Sequence, residues 1–193
     1  MMGGSSELRS DLDFYETPFY DTIAFLDSSG WQPKSGVVWE PAAGNCAISV
    51  VLHERFTHHT IINTDIKQRD IPLDREQDFL LSDLPSYIPS NVDIITNPPF
   101  SLAREFVERA LSVTDGDVVM LLRLAFLETV SRRDLFERKH LKEVWVSSKR
   151  IHFSSPSLAQ RERETGKKSN SGMAMAWFIF NRTYVGDPVI KWI

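Results

Sequence analysis

Residues 92–100 read Val-Asp-Ile-Ile-Thr-Asn-Pro-Pro-Phe. A short apolar run that opens at a turn residue is typical of a buried strand, and the two prolines, which have no backbone N–H, must end that strand at Asn97. The strand therefore brings Asn97 to its carboxyl end, where open α/β sheets bind their ligands. This stretch predicts an α/β fold with a ligand site at Asn97.

The Asn-Pro-Pro-Phe tetrad combines two hydrogen-bond acceptors with an aromatic ring. The side-chain oxygen of Asn97 and the carbonyl of Pro98 are held at a fixed separation, because Pro98 and Pro99 each restrict φ. Two such acceptors suit a flat NH2 group such as adenine N6, and would favour a tetrahedral nitrogen that can attack an electrophile. Phe100 could stack on the base, a contact that contributes roughly 1–3 kcal/mol. A proline-stiffened turn with Phe100 in the core remains the alternative.

Upstream of the tetrad, a strand, a glycine turn and a helix follow one another. Residues 36–40 have a buried-strand pattern, and 41–46 read Pro-Ala-Ala-Gly-Asn-Cys before a helical segment, which is the start of a doubly wound nucleotide-binding fold. The next strand ends at Asp65, 21 residues after Gly44. Because an acid at about this spacing accepts hydrogen bonds from ribose hydroxyls in dinucleotide folds, the pattern predicts a nucleoside-containing cofactor.

These segments resemble the motifs of amino-group methyltransferases that use S-adenosyl-L-methionine (SAM). Their order resembles the adenine-N6 DNA methyltransferases, especially the small stand-alone enzymes of phages and prophages, over roughly the first 125 residues. The tetrad at 97–100 is similar to the catalytic motif, which also occurs in RNA adenine and guanine-N2 methyltransferases and in enzymes that methylate a glutamine amide. The glycine turn is similar to acidic-Pro-x-x-Gly-x-Gly, with Cys46 in place of the last glycine.

The resemblance implies a fold, a cofactor and a set of site residues. The fold would be Rossmann-like, with a mostly parallel seven-stranded sheet and an antiparallel C-terminal edge. SAM would be the cofactor and S-adenosyl-L-homocysteine (SAH) the product of direct methyl transfer to N6 of an extruded adenine, for which restriction protection is the usual role. The implied catalytic residues are Asn97, Pro98, Pro99 and Phe100. The implied cofactor-binding residues are Tyr15, Thr17, Glu40, Pro41, Ala42, Gly44, Asp65, Ile66, Asp78, Phe79 and Asn97.

Two further strings carry part of the resemblance. Residues 15–18 are similar to a Tyr-x-Thr-Pro motif that borders the SAM pocket in many adenine methyltransferases. Thr17 before a proline also predicts a helix N-cap, whose hydroxyl and helix amides could bind the methionine carboxylate beside Tyr15. Residues 121–127 follow the fifth predicted strand as Leu-Leu-x-x-x-Phe-Leu, which implies that Phe126 contacts the target base, with a core position as the alternative.

Length and composition indicate one catalytic domain. The 193 residues, 42% of them hydrophobic, suffice for one well-buried domain at 13–193 after a flexible terminus at 1–12. Cys46 is the only cysteine, which excludes intramolecular disulfides, and the five histidines lack zinc-site spacing, so no metal site is expected. With no signal-like start and no apolar run of transmembrane length, we expect a cytoplasmic protein without membrane contact.

The charge is unevenly distributed along the chain. Residues 1–130 carry 9 Lys and Arg against 20 Asp and Glu, whereas 131–168 carry 11 against 5. A basic loop at about 148–171 is therefore expected to contact the phosphates of a nucleic acid. Its expected substrate-binding residues are Arg150, Arg161, Arg163, Lys167 and Lys168.

DNA is the expected partner, although the acidic first two-thirds of the chain keeps three alternatives open. These are an RNA base methyltransferase, a protein glutamine methyltransferase and a SAM-binding module without catalysis. No separate target-recognition domain is evident after residue 130. Sequence selectivity could therefore be slight, or could be supplied by a homodimer or by another partner.

Overall fold

A computed structural model describes residues 15–81, 83–153, 164 and 172–193. The helices in these ranges are α1 (Phe19–Ser29), α2 (Ala47–Arg55), α3 (Ala103–Val113) and α4 (Arg133–Glu137). The strands are β1 (Val37–Glu40), β2 (Thr60–Asp65), β3 (Arg75–Glu76), β4 (Asp93–Thr96), β5 (Val118–Arg123), β6 (Leu141–Val146), β7 (Met175–Phe180) and β8 (Val189–Trp192). No helix in the described ranges is long and apolar enough to cross a membrane. The terminus expected at 1–12 and most of the loop expected at 148–171 lie outside these ranges.

One sheet with the strand order β3-β2-β1-β4-β5-β7-β6-β8 organises the chain. Neighbouring strands from β3 to β5 are parallel, and β7 runs antiparallel to both β5 and β6. The predicted Rossmann-like α/β class is confirmed. The sheet has eight strands rather than the expected seven, because the two-residue β3 pairs with β2. The antiparallel strand lies inside the sheet, and β8 at its edge pairs parallel with β6.

The sheet is the middle layer of three because its central strands are apolar on both faces. All four residues of β4 and all six of β7 are buried. Alternate residues of β4 point to opposite faces, so Ile94 packs in the core cluster that contains α3, and Ile95 packs in the cluster that contains α1 and α2. Two continuous cores thereby hold β4 in place from both sides, up to the position where Asn97 begins.

A buried carboxylate joins the amino ends of three neighbouring strands. Asp93, at the start of β4, accepts hydrogen bonds from the backbone amides of Lys34 and Ser35 before β1, at 2.7 and 2.8 Å, and from the amide of Asp117 before β5, at 2.8 Å. Its side chain is fully buried. Because these three amides have no strand partner at this end, the carboxylate fixes the relative positions of β1, β4 and β5. The carboxyl ends of the same strands are therefore held in a fixed relation.

Asp93→Asn should lower the free energy of unfolding by about 3 kcal/mol, because an amide NH2 would replace one acceptor and would face backbone N–H groups in a buried site. Urea unfolding followed by tryptophan fluorescence measures this loss. Asp27→Asn is the matched control, since Asp27 is an exposed acid that pairs with Arg55 on the surface, and it should cost less than about 1 kcal/mol. Equal losses in the two variants would contradict the role given to Asp93.

Candidate active site

A cavity of about 830 Å³ opens along the carboxyl edge of the sheet. Residues at the ends of four neighbouring strands line it: Glu40 ends β1, Asp65 ends β2, Asn97 follows β4 and Arg123 ends β5. Its volume lies in the range of small-molecule sites. It brings together every residue that the sequence predicted as catalytic or cofactor-binding, namely Tyr15, Thr17, Glu40, Pro41, Ala42, Gly44, Asp65, Ile66, Asp78, Phe79, Asn97, Pro98, Pro99 and Phe100.

The amide of Asn97 is held by the Tyr-x-Thr-Pro segment. Its Nδ2 donates to the backbone carbonyl of Tyr15 at 3.1 Å and to Oγ1 of Thr17 at 3.0 Å. Both partners bind the nitrogen, so the orientation of the amide is determined. Its Oδ1 is buried and accepts no hydrogen bond from any described residue. An unpaired buried acceptor costs about 1–3 kcal/mol, which indicates that a ligand supplies the missing donor.

Thr17 therefore has a different role from the predicted one. Helix α1 begins at Phe19, Pro18 occupies the cap position with ψ 132°, and no side chain caps the helix. The amide of Asp21 instead bonds the Pro18 carbonyl at 3.0 Å. The N-cap prediction was wrong, because the threonine hydroxyl is used by Asn97, a residue 80 positions away in sequence. No local pattern could have revealed this pairing.

The two proline carbonyls of the tetrad differ in their hydrogen bonds. The Pro99 carbonyl accepts from the amide of Leu102 at 3.0 Å, at the start of a 3-10 turn over Phe100–Leu102. Within the described residues, the Pro98 carbonyl accepts no hydrogen bond. Among the described residues, the tetrad thus presents two unpaired acceptors, one from the side chain of Asn97 and one from the backbone of Pro98.

Three side chains contact the ring of Phe100. Tyr15 stacks on it with a centroid distance of 5.1 Å and an interplanar angle of 22°, and Phe153 packs in a T-shaped arrangement at 5.8 Å. The Cζ atom of Arg123 lies 4.8 Å from the ring centroid. Arg123 and Phe153 were not among the site residues predicted from the sequence. Arg123 could have been found, because it ends a buried strand at the same sheet edge as Asn97, whereas the position of Phe153 depends on the chain after β6.

The glycine turn is shaped by two left-handed residues and by Asp65. Gly44 has φ 54° and Cys46 has φ 56°, and the amide of Gly44 donates to Oδ2 of Asp65 at 2.9 Å. The other oxygen of Asp65 accepts from the amide of Lys67 at 3.1 Å. Asp65 therefore supports the turn itself. Cys46 stands where the acidic-Pro-x-x-Gly-x-Gly pattern has its last glycine, and its left-handed backbone costs about 1–2 kcal/mol for a residue other than glycine. Burial raises the pKa of its thiol to about 11.

Glu40 is buried in a short chain of polar side chains. Its Oε2 accepts from the amide of Ser49 at 2.9 Å and contacts the Ser49 hydroxyl, which also contacts Oδ1 of Asn63. A hydroxyl has one proton, so a protonated Glu40 that donates to Ser49 lets Ser49 donate to Asn63 and satisfies all three groups. Burial raises the pKa of Glu40 to about 8. Without a cationic ligand, Glu40 therefore keeps its proton at neutral pH.

The predicted cofactor-binding residues Asp78 and Phe79 also make contacts within the protein. Oδ1 of Asp78 accepts from the amide of Leu80 at 2.9 Å. Phe79 is buried, with its ring 5.2 Å from that of Trp39 and 5.0 Å from that of Phe106. Both Asp78 and Phe79 still line the cavity.

Two of the predicted substrate residues, Phe126 and Arg150, do not line the cavity. Phe126 is buried in the core, 5.9 Å from the ring of Phe136 and 5.7 Å from that of Phe178, so its expected contact with the base is not supported. Arg150 is exposed and donates to the carbonyl of Gly172 at 3.0 Å. The other predicted residues, Arg161, Arg163, Lys167 and Lys168, lie outside the described residues.

No protein-family model and no curated protein matches the sequence, but solved structures match the fold. The methyltransferase subunit of a type I restriction-modification system from Streptococcus thermophilus has a TM-score of 0.58 at 15% identity, over 86% of this chain and 44% of that chain. The 23S rRNA methyltransferase ErmE has a TM-score of 0.51 at 13% identity, over 86% of this chain and 69% of that chain. The plantazolicin methyltransferase BpumL in complex with SAH has a TM-score of 0.50 at 12% identity, over 92% of this chain and 89% of that chain.

At these identities the similarity shows the fold, which is the Rossmann-like fold of the methyltransferases. The chain spans less than half the length of the Streptococcus thermophilus subunit. The neighbours are named for different substrates. The reaction of this chain therefore has to be argued from the residues that line its cavity.

The free energy of unfolding should fall as pH rises from about 4.5 to about 8. In this window the unfolded chain releases the Glu40 proton while the folded protein retains it. The stabilisation that protonated Glu40 gives the folded state is therefore complete below about pH 4.5 and lost by about pH 8. The free energy of unfolding falls by up to about 1.4 kcal/mol per pH unit between these limits. Glu40→Gln should remove this component from unfolding curves measured across the range. Glu54→Gln, at an exposed glutamate of α2, is the matched control. Parallel wild-type and Glu40→Gln curves would contradict the prediction.

Proposed function

We propose that this chain is a SAM-dependent methyltransferase that methylates N6 of an adenine extruded from DNA. One observation carries the proposal. Oδ1 of Asn97 is a buried acceptor without a donor among the described residues, and it is held in that orientation by the bonds of Nδ2 to Tyr15 and Thr17. Such an acceptor, in one cavity with the glycine turn, fits a substrate with an NH2 group beside a nucleoside-containing cofactor.

The residues on the cofactor side of the cavity fit SAM. Gly44 brings backbone close to the space that a nucleoside would fill, and Asp65 has lone pairs beyond those used by the two amides, which suit ribose hydroxyls. Glu40 is placed to hold the methionine ammonium, directly or through water. When bound, SAM supplies a sulfonium methyl that an amine nitrogen attacks while the carbon–sulfur bond breaks and sulfur keeps the electron pair.

The tetrad prepares the substrate amine. Oδ1 of Asn97 and the Pro98 carbonyl accept its two hydrogens, which turns the nitrogen lone pair out of conjugation with the ring. The same oxygens stabilise the positive charge that develops on N6, before its extra proton is lost to solvent. Both acceptors are held by the fold, so little reorganisation accompanies the reaction. The proposal uses positioning and electrostatics and assigns no residue as a nucleophile.

Nucleic acid is the best-supported class of substrate. The tetrad suits an aromatic amine, and the Tyr-x-Thr-Pro segment contacts the tetrad through Asn97. Residues 131–168 carry 11 Lys and Arg against 5 Asp and Glu, a positive excess that suits phosphates. Two proteins with a similar fold are a restriction-modification subunit and an rRNA methyltransferase. DNA is favoured because Tyr-x-Thr-Pro resembles the adenine DNA enzymes, and RNA is kept as the second candidate because of the rRNA methyltransferase.

Asn97→Ala should lower kcat for methyl transfer by about 100-fold or more, because it removes an acceptor that acts on developing charge. Tritiated SAM is offered with DNA, RNA and protein, and labelled nucleosides are identified after digestion. Asn91→Ala is the matched control, since Asn91 is an exposed asparagine just before the other end of β4, and it should keep wild-type activity. Calorimetry should show that Asn97→Ala still binds SAM, which separates lost chemistry from lost folding.

The possible results separate the candidate functions. N6-methyladenine in DNA that disappears in Asn97→Ala supports the proposal, and label that survives the substitution contradicts the mechanism. Label confined to RNA supports the RNA candidate, and label confined to protein supports glutamine methylation. SAM binding without transfer to any of the three would leave a binding module.

A further inference from the structure

We infer that Arg123 covers the base-binding face of Phe100 in the free protein, and that it moves to the phosphate of the target nucleotide when the base enters. This inference rests on the proposed function and names the group that reads the backbone of its substrate. It begins from the placement of the guanidinium, whose Cζ lies 4.8 Å from the centre of the Phe100 ring. A base that stacks on Phe100 needs one face of that ring.

The face held by Tyr15 is not available to a base. Tyr15 stacks on Phe100 at 5.1 Å, and its ring also meets Phe153 at 5.8 Å. Its backbone carbonyl accepts the 3.1 Å hydrogen bond from Nδ2 of Asn97. The Tyr15 backbone is therefore fixed, and its ring is held by two aromatic neighbours, Phe100 and Phe153. Of the two groups that lie over the Phe100 ring, Arg123 is the one that an entering base can displace at lower cost.

Arg123 is free to leave that face. Its backbone is fixed, because it pairs with Met175 across the β5–β7 ladder and the next amide, of Leu124, bonds the carbonyl of Ala174 at 2.9 Å. Its side chain is exposed and, among the described residues, contacts the ring of Phe100 without making a hydrogen bond or an ion pair. An exposed cation–π contact contributes about 0.5–1 kcal/mol, less than the roughly 1–3 kcal/mol of a base stacked on an aromatic ring.

The displaced guanidinium has a clear new partner. It carries five N–H donors that the described part of the protein leaves unused, and their planar arrangement matches the oxygens of a phosphodiester. Arg123 lines the cavity at the end of β5, and we expect the sugar and phosphate of an adenine bound at Asn97 to be directed towards the cavity opening. Leaving the ring also takes a positive charge away from an amine that becomes more positive as it reacts. Arg123 is thus a binding residue for the phosphate of the target nucleotide.

Salt dependence tests this role. We would measure KM and Kd of wild type, Arg123→Met, Arg123→Lys and the control Arg182→Met for the adenine site that wild type methylates. Arg182 is also exposed, but it pairs with Asp115 near the opposite end of β5. Arg123→Met should raise KM at least about tenfold, change kcat less than about threefold, and reduce the slope of log Kd against log salt by about 0.7–0.9, the value for one lost phosphate contact. Arg123→Lys and Arg182→Met should keep the slope.

An uncharged linkage in the nucleic acid shows which phosphate Arg123 contacts. Replacing the phosphate beside the target adenine by a methylphosphonate should weaken wild-type binding and leave Arg123→Met almost unaffected. If wild type methylates nucleic acid but Arg123→Met keeps the wild-type slope, or if both proteins respond equally to the methylphosphonate, the inference fails and the proposed function stands. If wild type methylates no nucleic acid, the proposed function fails, and this inference fails with it.

Discussion

The site depends on the two hydrogen bonds that hold the amide nitrogen of Asn97. By binding Nδ2, the carbonyl of Tyr15 and the hydroxyl of Thr17 leave Oδ1 as the part of the amide that can accept a substrate hydrogen. A side-chain amide that could rotate would present a donor and an acceptor alternately, and a donor would repel an NH2 group. The Tyr-x-Thr-Pro segment therefore contributes to the site by orienting a group on another element.

The sheet supplies the frame in which this orientation is useful. Parallel strands bring Glu40, Asp65 and Asn97 to one edge, and the buried Asp93 carboxylate holds β1, β4 and β5 together at the other edge. These three groups are also bonded to the backbone or to another side chain, so their positions are set before any ligand arrives. Phe100 and Arg123 differ, since their contact is weak and exposed, and this is where we place the movement that accompanies binding.

Much of the fold and of the cavity lining could be predicted from the sequence, because both follow from local patterns. Buried apolar runs and the residues that end them place Glu40, Asp65 and Asn97 at strand ends, and parallel strands share one edge. The partners of those residues could not be predicted. Thr17 has the local signature of a helix cap, yet its hydroxyl bonds Asn97 80 residues away. Phe126 fits a motif by spacing, but the 3-10 turn after β5 directs it into the core, and Arg123 reaches the ring of Phe100 instead.

The most direct test is a crystal structure of the protein with an adenine-containing oligonucleotide and sinefungin, a SAM analogue that cannot transfer a methyl group. We expect N6 of the adenine within hydrogen-bonding distance of Oδ1 of Asn97, with Nδ2 still bound to Tyr15 and Thr17 and the analogue beside the glycine turn. An adenine bound away from Asn97, or an amide turned so that its nitrogen faces the base, would contradict the account.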